Sequence, residues 1–334
     1  MKTLKRISAA LLAVLMLLSF AGCNGTSDDE TTTEAPETTS YIREVKTKIA
    51  ALNGPTGLGI AKLKADRDYA YEVEYFSDPQ EIVPLLTKGE VDIAALPINL
   101  AANLYKKTNG GIQILSINTL GVLHILENGS GIKSVSDLKG KTIYATGQGS
   151  TPEYILNYIL TQNGLDPEKD VNIEYKTAHN ELATLAVEGK ADICMLPEPF
   201  ASKVAKANTD MRRALDLTAE WDKVCDTQLA QGVIVARTDY IKQNPEYIEK
   251  FMTHSEVSLN FLKEIPEQGA IFLYENGYFD DVELAKESLL GCNLYFASGE
   301  NMKTMAKAIF EILYQADPAS VGGAVPDDGI YYGA

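Results

Sequence analysis

The sequence predicts an α/β protein of two similar lobes, each a mainly parallel sheet flanked by helices. Two observations predict this class: a stretch of seventeen residues occurs twice, and strand-like and helix-like periodicities alternate around both copies. Two related α/β lobes place equivalent strand ends opposite each other. Because small ligands bind at the carboxyl ends of strands in open α/β sheets, the cleft between the lobes is the predicted site.

Each copy of the repeat has the pattern of a helix end, a glycine cap, a short apolar strand and a proline loop that opens a new helix. Residues Leu85–Ala101 return as Leu185–Ala201, and the two copies therefore predict the same local structure in both lobes. The identical positions are Leu85/Leu185, Gly89/Gly189, Asp92/Asp192, Ile93/Ile193, Leu96/Leu196, Pro97/Pro197 and Ala101/Ala201.

The first 22 residues have the form of a secretory signal peptide. The basic residues Lys2, Lys5 and Arg6 precede an apolar run, Ala9–Phe20, that is too short to span a membrane. The small residues before Cys23 resemble the lipobox of bacterial lipoproteins, in which this cysteine carries the lipid; ordinary signal cleavage beside an incidental cysteine is the alternative. We expect an extracytoplasmic protein that is anchored to the bacterial cell membrane through Cys23.

A polar segment, residues 23–45, follows the signal and is rich in Thr, Glu, Asp and Ser. Such a composition cannot offset its ordering entropy, so we expect a flexible tether. The first lobe is predicted to be discontinuous, over residues 46–127 and 236–334, and the second lobe spans 128–235. The boundary is set by the composition break Asn128–Gly131.

Strand-like sequence at Leu229–Ala236 predicts the return of the chain to the first lobe. From Asp239 onward only helical periodicity is found, with Pro245 at a favourable first-turn position. We expect these C-terminal helices to pack on the first lobe. The segment Val321–Ala334 has no pattern that predicts a structure.

The net charge and the reactive residues restrict the possible functions. A formal net charge of −16 argues against nucleic acid and anionic lipid surfaces as partners. No metal or cofactor is expected, because neither the cysteines nor the histidines have the spacing of ligands. Catalytic motifs such as Gly-x-Ser-x-Gly and His-Glu-x-x-His are absent from the sequence, so we do not predict an enzyme. The cysteines and histidines that lack the spacing of metal ligands are Cys194, Cys225, Cys292, His124, His179 and His254.

Four loops each end a predicted strand and open a predicted helix, where free N–H groups and the positive helix end lie. Each loop also has a purely structural explanation, in which its glycines and prolines shape turns and a hydroxyl of Ser150 or Thr151 caps the helix. The candidate ligand-binding residues are Asn53, Gly54, Pro55, Thr56, Pro97, Asn99, Gly147, Gln148, Gly149, Ser150, Thr151, Pro197 and Glu198.

Several motifs occur in an order that resembles one protein family. They are the lipobox at Cys23, Asn53-Gly54-Pro55-Thr56, Asp137-Leu138-Lys139-Gly140-Lys141, Asn163-Gly164-Leu165-Asp166-Pro167, and Gly189-Lys190-Ala191-Asp192-Ile193 through Pro197-Glu198-Pro199-Phe200. Together they resemble the SsuA/THI5-like (NMT1/THI5-like) substrate-binding proteins of bacterial ABC importers, which include binders of thiamine pyrimidine precursors, aliphatic sulfonates and nitrate. The resemblance covers nearly all of residues 46–315.

The resemblance implies a type II periplasmic binding protein fold and a monomer that captures a small molecule by hinge closure. The implied partners are the permease and the ATPase of the same importer. A ligand-sensing ectodomain of a signalling system is an alternative with the same fold.

The ligand class is predicted from the charges of the four loops. None of them contains Lys or Arg, and one contains Glu198. The resemblance suggests that an acid in this Glu-Pro motif accepts hydrogen bonds from an amine or aminopyrimidine; the alternative is that Glu198 compensates its own helix. We therefore expect an amine-bearing heterocycle such as a thiamine pyrimidine precursor, with an aliphatic sulfonate or nitrate as the alternative. Aromatic candidates for stacking on it are Tyr105, Tyr154, Phe200 and Trp221.

Overall fold

The computed structural model describes residues 46–66 and 70–334. The strands are β1 (Thr47–Leu52), β2 (Tyr71–Phe76), β3 (Ile93–Pro97), β4 (Ile112–Thr119), β5 (Leu123–Asn128), β6 (Thr142–Thr146), β7 (Asn172–Lys176), β8 (Ile193–Pro197), β9 (Met211–Asp216), β10 (Gly232–Arg237) and β11 (Leu294–Ala297). The helices are α1 (Pro55–Leu58), α2 (Ala61–Ala65), α3 (Pro79–Lys88), α4 (Ile98–Lys107), α5 (Thr151–Gln162), α6 (His179–Val187), α7 (Phe200–Ala207), α8 (Leu217–Asp222), α9 (Thr238–Gln243), α10 (Pro245–Glu264), α11 (Pro266–Glu275), α12 (Val282–Gly291) and α13 (Gly299–Ala316). Within these two ranges, no helix has both the length and the apolar character needed to cross a membrane.

The strands form two separate sheets, one in each lobe. The first has the order β11-β4-β10-β3-β1-β2 and the second the order β7-β6-β8-β5-β9. In the first sheet β1 is parallel to β2 and β3, whereas β10 is antiparallel to both β3 and β4. In the second sheet β6 is parallel to β7 and β8, whereas β5 is antiparallel to β8 and β9. The α/β two-lobed class is confirmed, with mixed sheets where mainly parallel ones were expected, because the strands next to the crossings run in the opposite direction.

The chain crosses from the first sheet to the second at a different position from the expected one. Strand β5, which the sequence analysis assigned to the first lobe, pairs with β8 and β9 of the second sheet. The chain therefore passes from the first sheet to the second at residues 120–122, before Asn128–Gly131. The return lies between the end of α8 and the start of β10, in agreement with the predicted return strand. We propose lobe boundaries at these two connections.

The internal repeat is visible as two copies of one local structure. Strand β3 and strand β8 have bounds that differ by one hundred positions, and each lies between two helices. Gly89 and Gly189, which end the preceding helices, have φ angles of 73° and 69°. Only glycine adopts this left-handed conformation without strain, so both glycines end a helix as predicted. Pro97 pairs with Gly232, and Pro197 pairs with Leu123, so each proline ends its strand beside a connection between lobes.

The C-terminal helices pack on the first lobe, as predicted. Ile248 and Phe251 of α10 belong to the same buried cluster as Ile49 of β1. Near the C-terminus, Tyr331 is buried and forms an isolated bridge with Ile114 of β4. The final residues, for which the sequence predicted nothing, are thereby held against the first sheet.

Candidate functional site

The first predicted loop of the first lobe joins β1 to α1. Gly54 has a φ of 103°, and its carbonyl oxygen accepts hydrogen bonds from the backbone N–H groups of Gly57 and Leu58. Asn53 is exposed, and its Nδ2 donates to Ser77 Oγ at 3.2 Å. Helix α1, which begins with Pro55 and Thr56, has four residues, so its dipole is weaker than those of the longer helices α4 and α5.

The second predicted loop of this lobe is the junction of β3 and α4. Pro97 ends the strand and is the N-terminal cap residue of α4, and no side chain caps this helix end. Asn99 lies in the first turn and is 3% exposed. A side-chain amide is therefore enclosed at the carboxyl end of a central strand.

The glycine-rich loop of the second lobe joins β6 to α5. Gly147 and Gly149 have φ angles of 81° and 71°, so both need the left-handed freedom of glycine. The Ser150 hydroxyl donates to the carbonyl oxygen of Gly147 and does not cap α5. The N–H of Gly149 donates to the Glu153 carboxylate, which places a negative charge at this helix end. Gln148, between the two glycines, is exposed.

The candidate residues Asn99 and Thr151 meet across the lobes. Thr151 Oγ1 donates to Asn99 Oδ1 at 2.7 Å, and both side chains are buried. Helix α4 of the first lobe and helix α5 of the second thus face each other through their first turns. The structure brings together two of the four predicted loops by this direct contact.

Glu198, in the fourth loop with Pro197, is 1% exposed and has both carboxylate oxygens engaged. Arg213 Nη2 donates to its Oε1 at 2.7 Å, and the backbone N–H of Ser202 donates to its Oε2 at 3.1 Å. Ser202 lies in the first turn of α7, so the carboxylate compensates the N-terminus of its own helix, as in the alternative above. Direct contact of Glu198 with a ligand stays a prediction.

Residues of the first lobe cover Glu198 from the opposite side. A methyl group built on Gly291, at the end of α12, would lie 2.8 Å from Glu198 Cγ. Burial, together with the charge of Glu198, raises the pKa of the neighbouring Cys292 thiol. His124 Nε2 lies 3.6 Å from Glu198 Oε1, and desolvation lowers the pKa of this histidine against the opposing effect of the carboxylate. This contact between α12 and the second lobe is another place where the lobes touch.

One residue near the predicted loops was missed by the sequence analysis. His179, the first residue of α6, shares a 2.6 Å hydrogen bond between its Nδ1 and Thr146 Oγ1. Its ring centroid lies 5.2 Å from that of Phe200. Burial lowers the pKa of His179 to about 4, so the ring is uncharged at neutral pH. No local sequence signal marks it, because its partners are distant in the chain.

Of the four aromatic candidates, Trp221 is buried in the core and lies against Tyr158, with Nε1 donating to the carbonyl oxygen of Thr227. Tyr105 donates to Asp327 within the first lobe. Phe200 is half-buried at the carboxyl end of β8, and the Tyr154 hydroxyl of α5 lies 3.4 Å from Asp317 Oδ2, which follows α13.

Metal binding and lipidation concern different parts of the chain. Among residues 46–66 and 70–334, no three His, Cys, Asp or Glu side chains are grouped so that they could hold a metal ion. Cys23, the predicted lipidation site, lies outside the described residues, as do the predicted signal peptide and the whole predicted tether.

Solved structures resemble this chain over most of its length. A crystal structure of an ABC transporter from Parabacteroides distasonis is 26% identical, with a TM-score of 0.74, over 86% of this chain and 99% of that one. The periplasmic aliphatic sulphonate binding protein SsuA from Escherichia coli is 16% identical, with a TM-score of 0.69, over 86% of this chain and 92% of that one. At 16% identity the similarity to SsuA shows the fold alone.

A curated relative matches a shorter part of the chain. YtlA of Bacillus subtilis (strain 168), which is named as a binding protein, is 25% identical over 114 residues, covering 34% of this chain and 32% of YtlA. The chain thus matches about a third of the length of this relative. Residues 71–269, more than half of the chain, match the family model described as NMT1/THI5 like. The order of motifs and the two-lobed fold agree with this match, and the chain belongs to the NMT1/THI5-like family.

Proposed function

We propose that this protein is the extracytoplasmic solute-binding component of an ABC importer. In this role it captures a small molecule between its lobes and delivers it to a permease, which an ATPase drives. The observation that carries the proposal is the Asn99–Thr151 hydrogen bond, which brings the first turns of two helices from different lobes together. Family membership and the 26% identical ABC transporter structure support the same role.

The proposed mechanism is binding with hinge closure. The two connections at residues 120–122 and 223–231 are the hinge, because in the described residues the chain passes between the lobes only there. A ligand that contacts both lobes stabilises the closed arrangement by its differential contacts, and the permease recognises that arrangement. We propose that the loops containing Asn53–Thr56, Pro97–Asn99 and Gly147–Thr151 supply ligand contacts, with Pro197 and Glu198 at the edge of the same cleft.

We further propose that the ligand is an amine-bearing heterocycle, for example a thiamine pyrimidine precursor. Glu153 already occupies the Gly149 N–H at the start of α5, and its charge is unfavourable for an anion there. Arg213 offers an anion no free positive charge, since its guanidinium is paired with the Glu198 carboxylate. An aliphatic sulfonate or nitrate is the second candidate, favoured by the 40% exposure of the Arg213 side chain.

The remaining parts of the proposal concern the cellular context. We propose that residues 1–22 are a signal peptide, that Cys23 carries a lipid, and that residues 23–45 tether the binding lobes to the outer face of the membrane. The protein would act as a monomer and would bind its solute without converting it. The same fold in a signalling ectodomain is the alternative, and a neighbouring gene for a permease would argue against it.

Thermal unfolding against a panel of compounds tests this proposal. The panel contains aminopyrimidines, thiamine fragments, riboflavin, alkyl sulfonates, nitrate and polyamines. A ligand at a hundred times its dissociation constant should stabilise the protein by about 2.7 kcal/mol. A raised Tm with a pyrimidine or amine supports the full proposal, and a rise with sulfonate or nitrate alone replaces the ligand class. A Tm that no compound changes, for protein shown to be free of bound solute, contradicts the proposed ligand classes.

A further inference from the structure

The parallel strands β7, β6 and β8 of the second sheet end side by side, and His179 lies at this edge of the sheet. Thr146 is the last residue of β6, His179 begins the helix after β7, and Phe200 begins the helix after β8. The hydrogen bond from His179 to Thr146 and its ring contact with Phe200 tie the three strand ends together. Carboxyl ends of parallel strands are the usual place of ligand contacts in such sheets.

This edge of the second sheet faces the first lobe. Thr151, five residues after Thr146, donates to Asn99 of the first lobe. On the other side of the edge, Lys203 Nζ lies 5.5 Å from the ring centroid of Phe200 and 5.9 Å from that of Phe279 in the first lobe. His179, which contacts Thr146 and Phe200, therefore lies on the same edge of the second sheet as these two contacts between the lobes.

The two ring nitrogens of His179 differ in their hydrogen bonding. Nδ1 is used by Thr146, and one side of the ring lies against Phe200. Nε2 has no hydrogen-bond partner in the described part of the chain, and it is not one of the fully enclosed, unpartnered polar atoms there. Because a hydrogen bond at one ring nitrogen sets the tautomer and orientation of an imidazole, the free nitrogen is held ready for one further polar group.

We propose that His179 is a ligand-contacting residue of the cleft, and that its Nε2 hydrogen-bonds to an uncharged polar group of the solute. Thr146 and Phe200 are positioning residues, which hold the ring by its other nitrogen and by one face. The proposal rests on the proposed function and deepens it, because it selects an uncharged solute over a sulfonate or nitrate. A neutral imidazole supplies no positive charge to offset an anion in a site of low dielectric.

Chemical modification tests the accessibility of Nε2 without any ligand. Diethyl pyrocarbonate acylates accessible neutral imidazoles, and peptide mass spectrometry locates the adduct. We expect His179 to be modified at neutral pH, and modification to slow when 4-amino-5-hydroxymethyl-2-methylpyrimidine, an aminopyrimidine probe, is added. A His179 that stays unmodified while the partly exposed His254 reacts overturns the proposal.

Calorimetric titration with the same pyrimidine tests the contact itself. His179→Phe keeps a ring against Phe200 but removes Nε2, and we expect it to weaken binding at least about tenfold, which corresponds to about 1.4 kcal/mol. His254→Phe, on α10 in the first lobe, is the matched control, and its affinity for the pyrimidine should equal that of the wild-type protein. For Thr146→Val we expect weaker binding and a changed tautomer ratio of His179 in its ¹⁵N chemical shifts, which a merely structural threonine would leave unchanged.

The outcomes separate this inference from the proposed function. Equal pyrimidine binding by His179→Phe and the unmodified protein overturns the role of His179 and leaves the binding function intact. Binding of ethanesulfonate or nitrate in place of the pyrimidine overturns the uncharged solute class while keeping the importer role. Binding of none of these compounds, by protein shown to be free of bound solute, contradicts the pyrimidine class on which the inference rests.

Discussion

Thr151 Oγ1 donates a hydrogen bond of 2.7 Å to Asn99 Oδ1, and the two residues belong to different lobes. Each lies in the first turn of a helix that follows a central strand of its own sheet. Because both side chains are buried, neither can exchange this partner for water while the lobes stay together. This hydrogen bond therefore requires that the lobes be closed.

Replacing Thr151 by Val should favour separation of the lobes. The change keeps the branched shape but leaves Asn99 Oδ1 without its donor, at a cost of about 1 kcal/mol. We expect a lower Tm and a larger radius of gyration by small-angle X-ray scattering. Thr151→Ser, which keeps the hydroxyl, is the control. An unchanged radius and Tm in Thr151→Val would mean that the hydrogen bond does not hold the lobes together.

Gly291→Ala should obstruct the contact between α12 and the second lobe. The new methyl group would lie 2.8 Å from Glu198 Cγ, and Arg213 and the Ser202 N–H hold this side chain in place. We expect a larger radius of gyration and weaker binding of whichever panel compound raises the Tm. Leu290→Ala, at a neighbouring side chain that is 68% exposed, is the matched control. If both variants behave alike, close packing at Gly291 is not required for closure.

Glu198→Gln should reduce stability more than it reduces ligand affinity. The change removes the charge that pairs with Arg213 while keeping an acceptor for the Ser202 N–H. Because the Arg213 side chain is 40% exposed and can be hydrated, we expect a loss of about 1–2 kcal/mol in the free energy of unfolding. Chemical denaturation of Glu198→Gln, Arg213→Gln and the double variant measures the coupling.

Two results would contradict this account of Glu198. Additive effects of the two substitutions would mean that the ion pair contributes no coupling energy. A loss of pyrimidine affinity of more than about tenfold, without the loss of stability, would place Glu198 in direct contact with the ligand.

His179 should make the folded protein less stable in mild acid. Burial lowers its pKa to about 4, whereas a histidine in the unfolded chain has a pKa of about 6.5. Between these values the unfolded state binds the extra proton, so stability falls as the pH falls from about 6.5 to about 4. Denaturation at pH 7 and pH 5 should show a loss about 1–2 kcal/mol larger in the unmodified protein than in His179→Phe. An equal loss in both would show that His179 is not desolvated.

The sequence predicted those features that are encoded locally. The repeated stretches contain their own helix cap, strand and proline loop, so β3 and β8 were found in equivalent positions. The crossing was misplaced because residues 120–122 are buried, and an apolar connection shows no break in composition. Asn128–Gly131 is instead a turn after β5, where the Glu127 carboxylate accepts the N–H of Gly131.

The site was predictable only where its residues belong to a local motif. Asn99 and Thr151 were selected because each follows a strand and opens a helix, but their contact depends on how the lobes meet. His179 looked isolated, since Thr146 lies 33 residues away and the other partner, Phe200, is in a different loop. Arg213, which neutralises Glu198, comes from β9 and has no signal in the Glu-Pro motif. Contacts of this kind arise from tertiary packing.

A crystal structure grown with the panel compound that raises the Tm most tests the central claim, which is capture of a solute between the lobes. The account predicts electron density for that compound in the cleft beside the Asn99–Thr151 contact, within hydrogen-bond distance of groups from both lobes. A compound bound at any other surface, or within one lobe alone, would contradict it.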